Sequence, residues 1–173
     1  MNDSPLHSYS LVLGSRSPRR AQLLRDLGFS FRQISTEVEE HYPPDLEGEA
    51  IALHLAELKS RSLRGELEKD EVLLTSDTVV WCDGKHLAKA PTSAQARSML
   101  QQLSGREHEV ITGLTIWSAR KTVSLTDTTR VRFRSLREWE IDYYLEHYEP
   151  YDKAGAYGIQ EWIGMIGISS IQG

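Results

Sequence analysis

Residues 72–81 form a near-continuous apolar run, broken only by Thr75-Ser76-Asp77-Thr78, and this run constrains the fold more than any other segment. Its length and its Leu/Val content read as a strand, and the apolar neighbours Leu73, Leu74, Val79, Val80 and Trp81 read as a buried one. Such a strand needs cover, and the flanking sequence supplies it in alternating pieces. Residues 9–13 read as a short apolar strand, and 14–17 as a turn. Ser17-Pro18 then opens a helix, serine as N-cap and proline at the first helical position. Leu23, Leu24 and Leu27 give that helix an apolar face, Gly28 stops it, and 29–34 is a second strand. In 47–67, Ile51, Leu55, Leu58 and Ser62 recur at helical spacing beside Ala52 and Ala56.

After the buried run, Asp83-Gly84 predicts a hairpin turn into a short strand near Leu87. Thr92 and Gln95 predict a capping box for a helix through Ala96, Leu100 and Leu103, closed by Gly105. Two strands, 109–117 and 123–133, meet near Arg120-Lys121 as an antiparallel pair. Ser135 and Glu138 predict a second capping box, opening a helix through Trp139, Tyr143 and Tyr148. Short strands are expected at 157–159 and 165–169. Strands and helices alternate in the first half and meander later, which points to a single α/β domain with a mixed sheet.

A chain of 173 residues, 39% hydrophobic and 26% charged, supports one domain with a real core. No apolar run approaches the roughly 18 residues of a membrane span, and the start carries no signal pattern. Cys82 is the single cysteine, which excludes an internal disulfide and a cysteine zinc cluster; the expected compartment is the cytosol. A net charge of −5 argues against a duplex nucleic-acid binder. The charges are nonetheless clustered: Arg16, Arg19 and Arg20 on one side, Glu37, Glu39 and Glu40 on the other. A basic and an acidic cluster in one domain fit a phosphate ligand that arrives with a metal ion.

Three constellations carry chemistry. Gly14-Ser15-Arg16-Ser17-Pro18-Arg19-Arg20 joins a strand to a helix start, where unpaired N–H groups favour an anion. Two arginines there oppose the helix dipole unless an anion joins them; the alternative is that both reach into solvent. The motif is neither a Walker loop nor a dinucleotide fingerprint. Asp77 is a carboxylate within a buried strand, and is either a metal ligand or base, or a structural aspartate bonded to backbone. Lys59 and Lys89 can each neutralise phosphate oxygens, and the acidic run Glu37-Val38-Glu39-Glu40 is either a solvated loop or the source of a second carboxylate for Mg²⁺. The histidines show no metal spacing, and His108, at the start of a strand, reads as structural. Cys82 reads as core, and Trp139, Trp162, Tyr143, Tyr144 and Tyr148 as core or interface.

Together, Leu11-Val-Leu-Gly-Ser-Arg-Ser-Pro-Arg-Arg20, Thr75-Ser-Asp-Thr-Val-Val80, Leu103-Ser-Gly-Arg-Glu-His108 with Thr112-Gly113, and Asp152-Lys-Ala-Gly-Ala-Tyr-Gly-Ile-Gln160 resemble the Maf nucleotide pyrophosphatases. The resemblance runs in order from about residue 11 to the end. It implies an elongated α/β domain spanning 1–173, with a mixed twisted sheet flanked by helices and two lobes around a central cleft, often a homodimer. It implies hydrolysis of a small-molecule nucleoside triphosphate between the α and β phosphates with a divalent cation, Mg²⁺ or Mn²⁺, and no nucleic-acid or membrane partner. By position, Asp77 matches the family's catalytic aspartate and Glu40 one of its polar pocket residues; Asp77 and Glu40 are the expected metal ligands. Ser15, Arg19, Arg20, Lys59 and Lys89 match its phosphate-binding and polar pocket residues. Arg19, Thr78 and Gln160 match its specificity positions, and Gly158-Ile159-Gln160 resembles the branch acting on dTTP and UTP. A glutamine amide suits the O4/N3–H edge of a uracil or thymine ring. Two departures stand out: Ala90 separates Lys89 from Pro91, and the family continues beyond Gly173 with a further strand and helix. The alternatives from other classes are a nucleotide-binding regulator of cell division without turnover, and an interaction module working through the aromatic helix at 139–148.

Overall fold

The computed structural model describes residues 10–35 and 37–173; Tyr9, expected to open the first strand, lies outside them. The elements in chain order are β1 (Ser10–Gly14), α1 (Pro18–Asp26), β2 (Phe31–Ile34), α2 (Gly48–Leu63), β3 (Glu71–Cys82), β4 (Lys85–His86), α3 (Ser93–Leu103), β5 (Glu107–Trp117), β6 (Thr122–Phe133), α4 (Glu138–Tyr148), α5 (Trp162–Gly167) and β7 (Ile168–Gln172). The strands form one seven-stranded sheet in the order β2-β1-β3-β5-β6-β7, with β4 on β3. β1 is parallel to both β2 and β3, whereas β4 and β7 pair antiparallel with β3 and β6. The mixed sheet flanked by helices is therefore the one expected.

The chain divides into two compact units. The first comprises the described residues up to Leu46, with Ala50–Asp77 and Gly113–Thr126. Its core sets Val12, Leu63 and Leu73, all wholly buried, against Ile34, Leu67 and Trp117. At about 1.5–3 kcal/mol for each large aliphatic side chain removed from water, these contacts hold β1, α2 and β3 together. Helix α2 turns Ile51, Ala52, Leu55, Ala56, Ser60 and Leu63 inward. Gly113 on β5 lets α2 come close: a Cβ there would collide with the Ala52 carbonyl and lie 2.8 Å from the Leu53 nitrogen. Only glycine fits that approach. Arg32 holds Glu71 through both guanidinium arms, at 2.5 and 2.6 Å, and keeps its carboxyl down at about 2.

The second unit comprises Glu47–Glu49, Thr78–Thr112 and Asp127–Gly173. Its core gathers Val80, Leu100, Leu103, Phe133, Ile141, Tyr144 and Ile163. His108 is buried here as a structural residue: it stacks on Phe133 at 5.6 Å and meets the Tyr157 hydroxyl at 2.7 Å. Burial holds its imidazole down at about 4 and pushes the Tyr157 phenol up.

Local signals mostly act where they were read. Ser17 caps α1 by accepting from the Arg20 N–H, and Thr92 caps α3 by accepting from the Gln95 N–H. The α3 box is not reciprocal, because Gln95 spends its side-chain oxygen on the Thr92 hydroxyl at 2.8 Å. Four expectations need correction. The box at α4 is shifted by two residues: the Leu136 N–H is taken by Ser104 at 2.7 Å, and it is the Arg137 N–H that donates to Glu140 at 2.8 Å. Glu138 instead accepts from Gln101 at 3.1 Å. Residues 157–159 are not a strand, and the strand expected at 165–169 is the end of α5 followed by β7. The short strand near Leu87 is β4 at Lys85–His86, one step earlier.

Candidate active site

The register between β3 and α2 determines what Asp77 meets. Side chains on a strand alternate, so Thr75 and Asp77 share a face, while residues three apart on a helix are neighbours. Thr75, wholly buried, donates its hydroxyl to the Ala56 carbonyl of α2 at 2.8 Å. Two residues further along β3 and one turn further along α2, Asp77 forms an ion pair with Lys59. The Lys59 ammonium also contacts the Glu40 carboxylate at 2.9 Å. One lysine thus joins a strand carboxylate and a loop carboxylate. The Asp77 and Lys59 side chains are only 12% and 19% exposed, so their attraction is poorly screened by water.

The strand-to-helix turn after β1 brings the second part of the cluster. Ser15 accepts from the Ser17 N–H at 3.2 Å and from Arg20 at 3.4 Å. Arg20 also donates to the Ser76 carbonyl at 2.6 Å, which fixes its guanidinium beside the Asp77 backbone. Burial lowers the Arg20 pKa; the Asp77 charge opposes this, Arg19 adds to it, and Glu40 opposes it again. These couplings set Arg19, Arg20, Asp77 and Glu40 within one electrostatic neighbourhood. Arg19 itself is exposed. Helix α1 has no acidic residue in its first turn, so its positive end faces two arginines with no carboxylate of its own.

Ser15, Arg19, Arg20, Glu40, Lys59 and Asp77 are thus assembled within the first unit. Lys89, Thr78 and Gln160 belong to the second. Thr78 follows Asp77 on β3, is half-buried, and points to the other face of the strand. Lys89 is exposed, and its backbone forms an isolated antiparallel bridge with Ala154. Ala90, between Lys89 and Pro91, is almost wholly buried. Gln160 is exposed in a turn closed by the Glu161 N–H on the Gly158 carbonyl at 3.0 Å.

Sequence reasoning missed some of these contacts. Arg16 does not join the other arginines: it bonds Glu37 at 2.9 Å and Ser35 at 3.0 Å, tying the acidic run back to the turn. The Thr75 hydroxyl and Ser76 carbonyl also went unnoticed. Their only signal was their place in the polar interruption of an otherwise apolar strand.

Among the described residues, no group of three or more His, Cys, Asp or Glu side chains is arranged to hold a metal ion. The available donor set is the Asp77 and Glu40 carboxylates, whose oxygens converge on one cation, Lys59. That set suits Mg²⁺, which takes few protein carboxylates and completes its shell with water and phosphate oxygens.

Residues 10–173 match the sequence model of the family described as Maf-like protein. The chain is 44% identical over 168 residues to a dTTP/UTP pyrophosphatase of Flavobacterium johnsoniae, covering 97% of this chain and 87% of that protein. It is 44% identical to one of Phocaeicola vulgatus (97% and 88% covered) and 45% identical to one of Porphyromonas gingivalis (97% and 86% covered). Among solved structures, the Ham1 protein of Staphylococcus aureus shares the fold, with a TM-score of 0.54 at 14% identity over 72% of this chain and 71% of that one.

Proposed function

The chain belongs to the Maf-like protein family, and from that premise we propose that it is a nucleoside triphosphate pyrophosphatase that converts dTTP and UTP to the monophosphate and pyrophosphate. The observation that carries the reading is the paired hold of Asp77 and Glu40 on Lys59, with Arg20 fixed at the neighbouring Ser76 carbonyl. A purely structural aspartate would need one partner; here two carboxylates and a set of cations are crowded into one part of the first unit. The substrate comes from the relatives, which carry that name at 44% identity over almost the whole chain.

In this reading Arg19, Arg20 and Lys59 neutralise phosphate oxygens, with Ser15 and Lys89 as further polar contacts. Asp77 accepts a proton from the attacking water. The water oxygen bonds to phosphorus, the α–β bridging P–O bond breaks, and pyrophosphate leaves with the electron pair. The residues position and neutralise charge, which supplies most of the catalysis in such a displacement. A divalent cation, Mg²⁺ or Mn²⁺, held by Asp77 and Glu40, would supply further charge neutralisation on the phosphates. Arg19, Thr78 and Gln160 select the pyrimidine. Work in the cytosol, which the single buried Cys82 supports, and assembly as a homodimer, which the resemblance implies, complete the reading; among the described residues no helix is long and apolar enough to cross a membrane.

The test is pyrophosphate release from dTTP, UTP, CTP, GTP and 7-methyl-GTP, with Mg²⁺, with Mn²⁺ and with chelator. Release led by dTTP and UTP and abolished by chelator is expected. Release led by 7-methyl-GTP would keep the reaction and overturn the base preference. Nucleotide binding without release would replace the enzyme by a nucleotide-binding regulator.

A further inference from the structure

The turn that carries Gln160 is held from beneath by a network no part of the reaction uses. Tyr144 of α4 is wholly buried apart from the polar contacts of its hydroxyl. That hydroxyl accepts the Gly158 N–H at 3.0 Å and donates to the Glu161 carboxylate. The same carboxylate takes the Lys153 ammonium at 3.2 Å, a lysine that also touches Asp152 at 3.3 Å. The Lys153 and Glu161 side chains are 13% and 22% exposed. Gly158 leaves room for this arrangement, since a Cβ there would stand 2.7 Å from the Glu161 carboxyl carbon. The backbone closes the turn above, with Glu161 N–H on the Gly158 carbonyl at 3.0 Å. Gln160 is therefore an exposed side chain on a backbone pinned at Gly158 and at Glu161.

A turn whose tip, Ile159 and Gln160, is exposed gains nothing obvious from such a clamp. A loop end that needs only to be short is served by its backbone hydrogen bond, whereas a buried tyrosine, a lysine and a carboxylate converging on it restrict where its tip can point. Restricting the tip matters where a side-chain amide must present donor and acceptor to a base edge, because an amide free to swing reads O4/N3–H of uracil and N4–H₂/N3 of cytosine equally well.

We infer that Glu161, with Tyr144 and Lys153, is a positioning group for base selection: it holds the 158–161 turn so that Gln160 presents its amide in one orientation. The inference rests on the proposed role of Gln160, and the experiment separates the two. Steady-state kcat and KM are measured for UTP and CTP with the wild type, Gln160→Ala, Tyr144→Phe, Glu161→Gln and the double variant Gln160→Ala/Tyr144→Phe. Tyr144→Phe and Glu161→Gln are expected to lower the UTP:CTP ratio of kcat/KM about tenfold, chiefly through the KM for UTP. The double variant is expected to discriminate no worse than Gln160→Ala, because the clamp then has nothing to orient. Equal losses on UTP and CTP would mark a merely structural clamp and overturn the inference. So would an unchanged ratio in Tyr144→Phe and Glu161→Gln when Gln160→Ala loses selectivity. An unchanged ratio in Gln160→Ala would overturn the role of Gln160 itself, and the positioning inference with it. Should Tyr144→Phe fail to fold, Glu161→Gln, which keeps the shape of a partly exposed side chain, decides the matter alone.

Discussion

Lys59 serves two carboxylates at once, and the proposed chemistry of the first unit turns on that contact. Replacing it by methionine would keep the stem and leave the buried Asp77 without its ion-pair partner. Urea unfolding at pH 7 should show Lys59→Met less stable by about 1–3 kcal/mol, with turnover lost as well. Asp77→Asn separates chemistry from folding: kcat should fall at least about 100-fold, while calorimetry finds nucleotide affinity little changed. Wild-type kcat in that variant would remove Asp77 from the reaction. Asp77 was legible in the sequence because a carboxylate among Leu73, Val79 and Val80 has to be explained. Its partnership with Lys59 was not, since it depends on which turn of α2 lies over which residue of β3. Arg16 looked like a member of the phosphate cluster for the same reason: adjacency in sequence says nothing of its turn toward Glu37.

At the scale of elements, that register is set by Thr75 on Ala56 and by the close approach of α2 to Gly113. Gly113→Ala forces a methyl group against helix backbone, which cannot move aside as a side chain can. The thermal midpoint should drop by the equivalent of about 1–3 kcal/mol, and kcat should fall with it because α2 carries Lys59. Ser17→Ala, which removes the cap of α1, should cost about 1 kcal/mol in the same assay. The caps at Ser17 and Thr92 were readable because a cap is a bond between residues three apart. The misread elements depend on distant partners. Ser104 captures the Leu136 N–H and delays α4 to Arg137, and the segment expected as a strand at 157–159 is shaped by the hydroxyl of Tyr144. Helix α5, Trp162–Gly167, is too short to show a period and contains two glycines.

Across the whole molecule, several buried or paired groups push acid stability the same way. His108 is held down at about 4 by burial, against an ordinary 6.5, so the unfolded chain takes a proton that the folded one refuses. Stability should therefore decline as pH falls from about 6.5 toward 4, by up to about 3 kcal/mol. Glu71, held at about 2 by Arg32 against an ordinary 4.5, contributes stability that is lost between those values, and Glu140 is shifted the same way by Arg134. Melting followed from pH 7 to pH 3 should show an upper decline that His108→Gln removes and a lower one that it leaves. A single decline confined below pH 4.5 would take His108 out of this account. The positive end of α1, with Arg19 and Arg20 but no acidic residue in its first turn, has a practical consequence at the bench. Storage buffers should not be interchangeable for this protein: inorganic phosphate or pyrophosphate, if it settles at that helix end, should lengthen the life of a preparation and depress its measured rate together. Stocks kept in phosphate would be durable and sluggish, and the same stocks desalted into an amine buffer faster and shorter-lived.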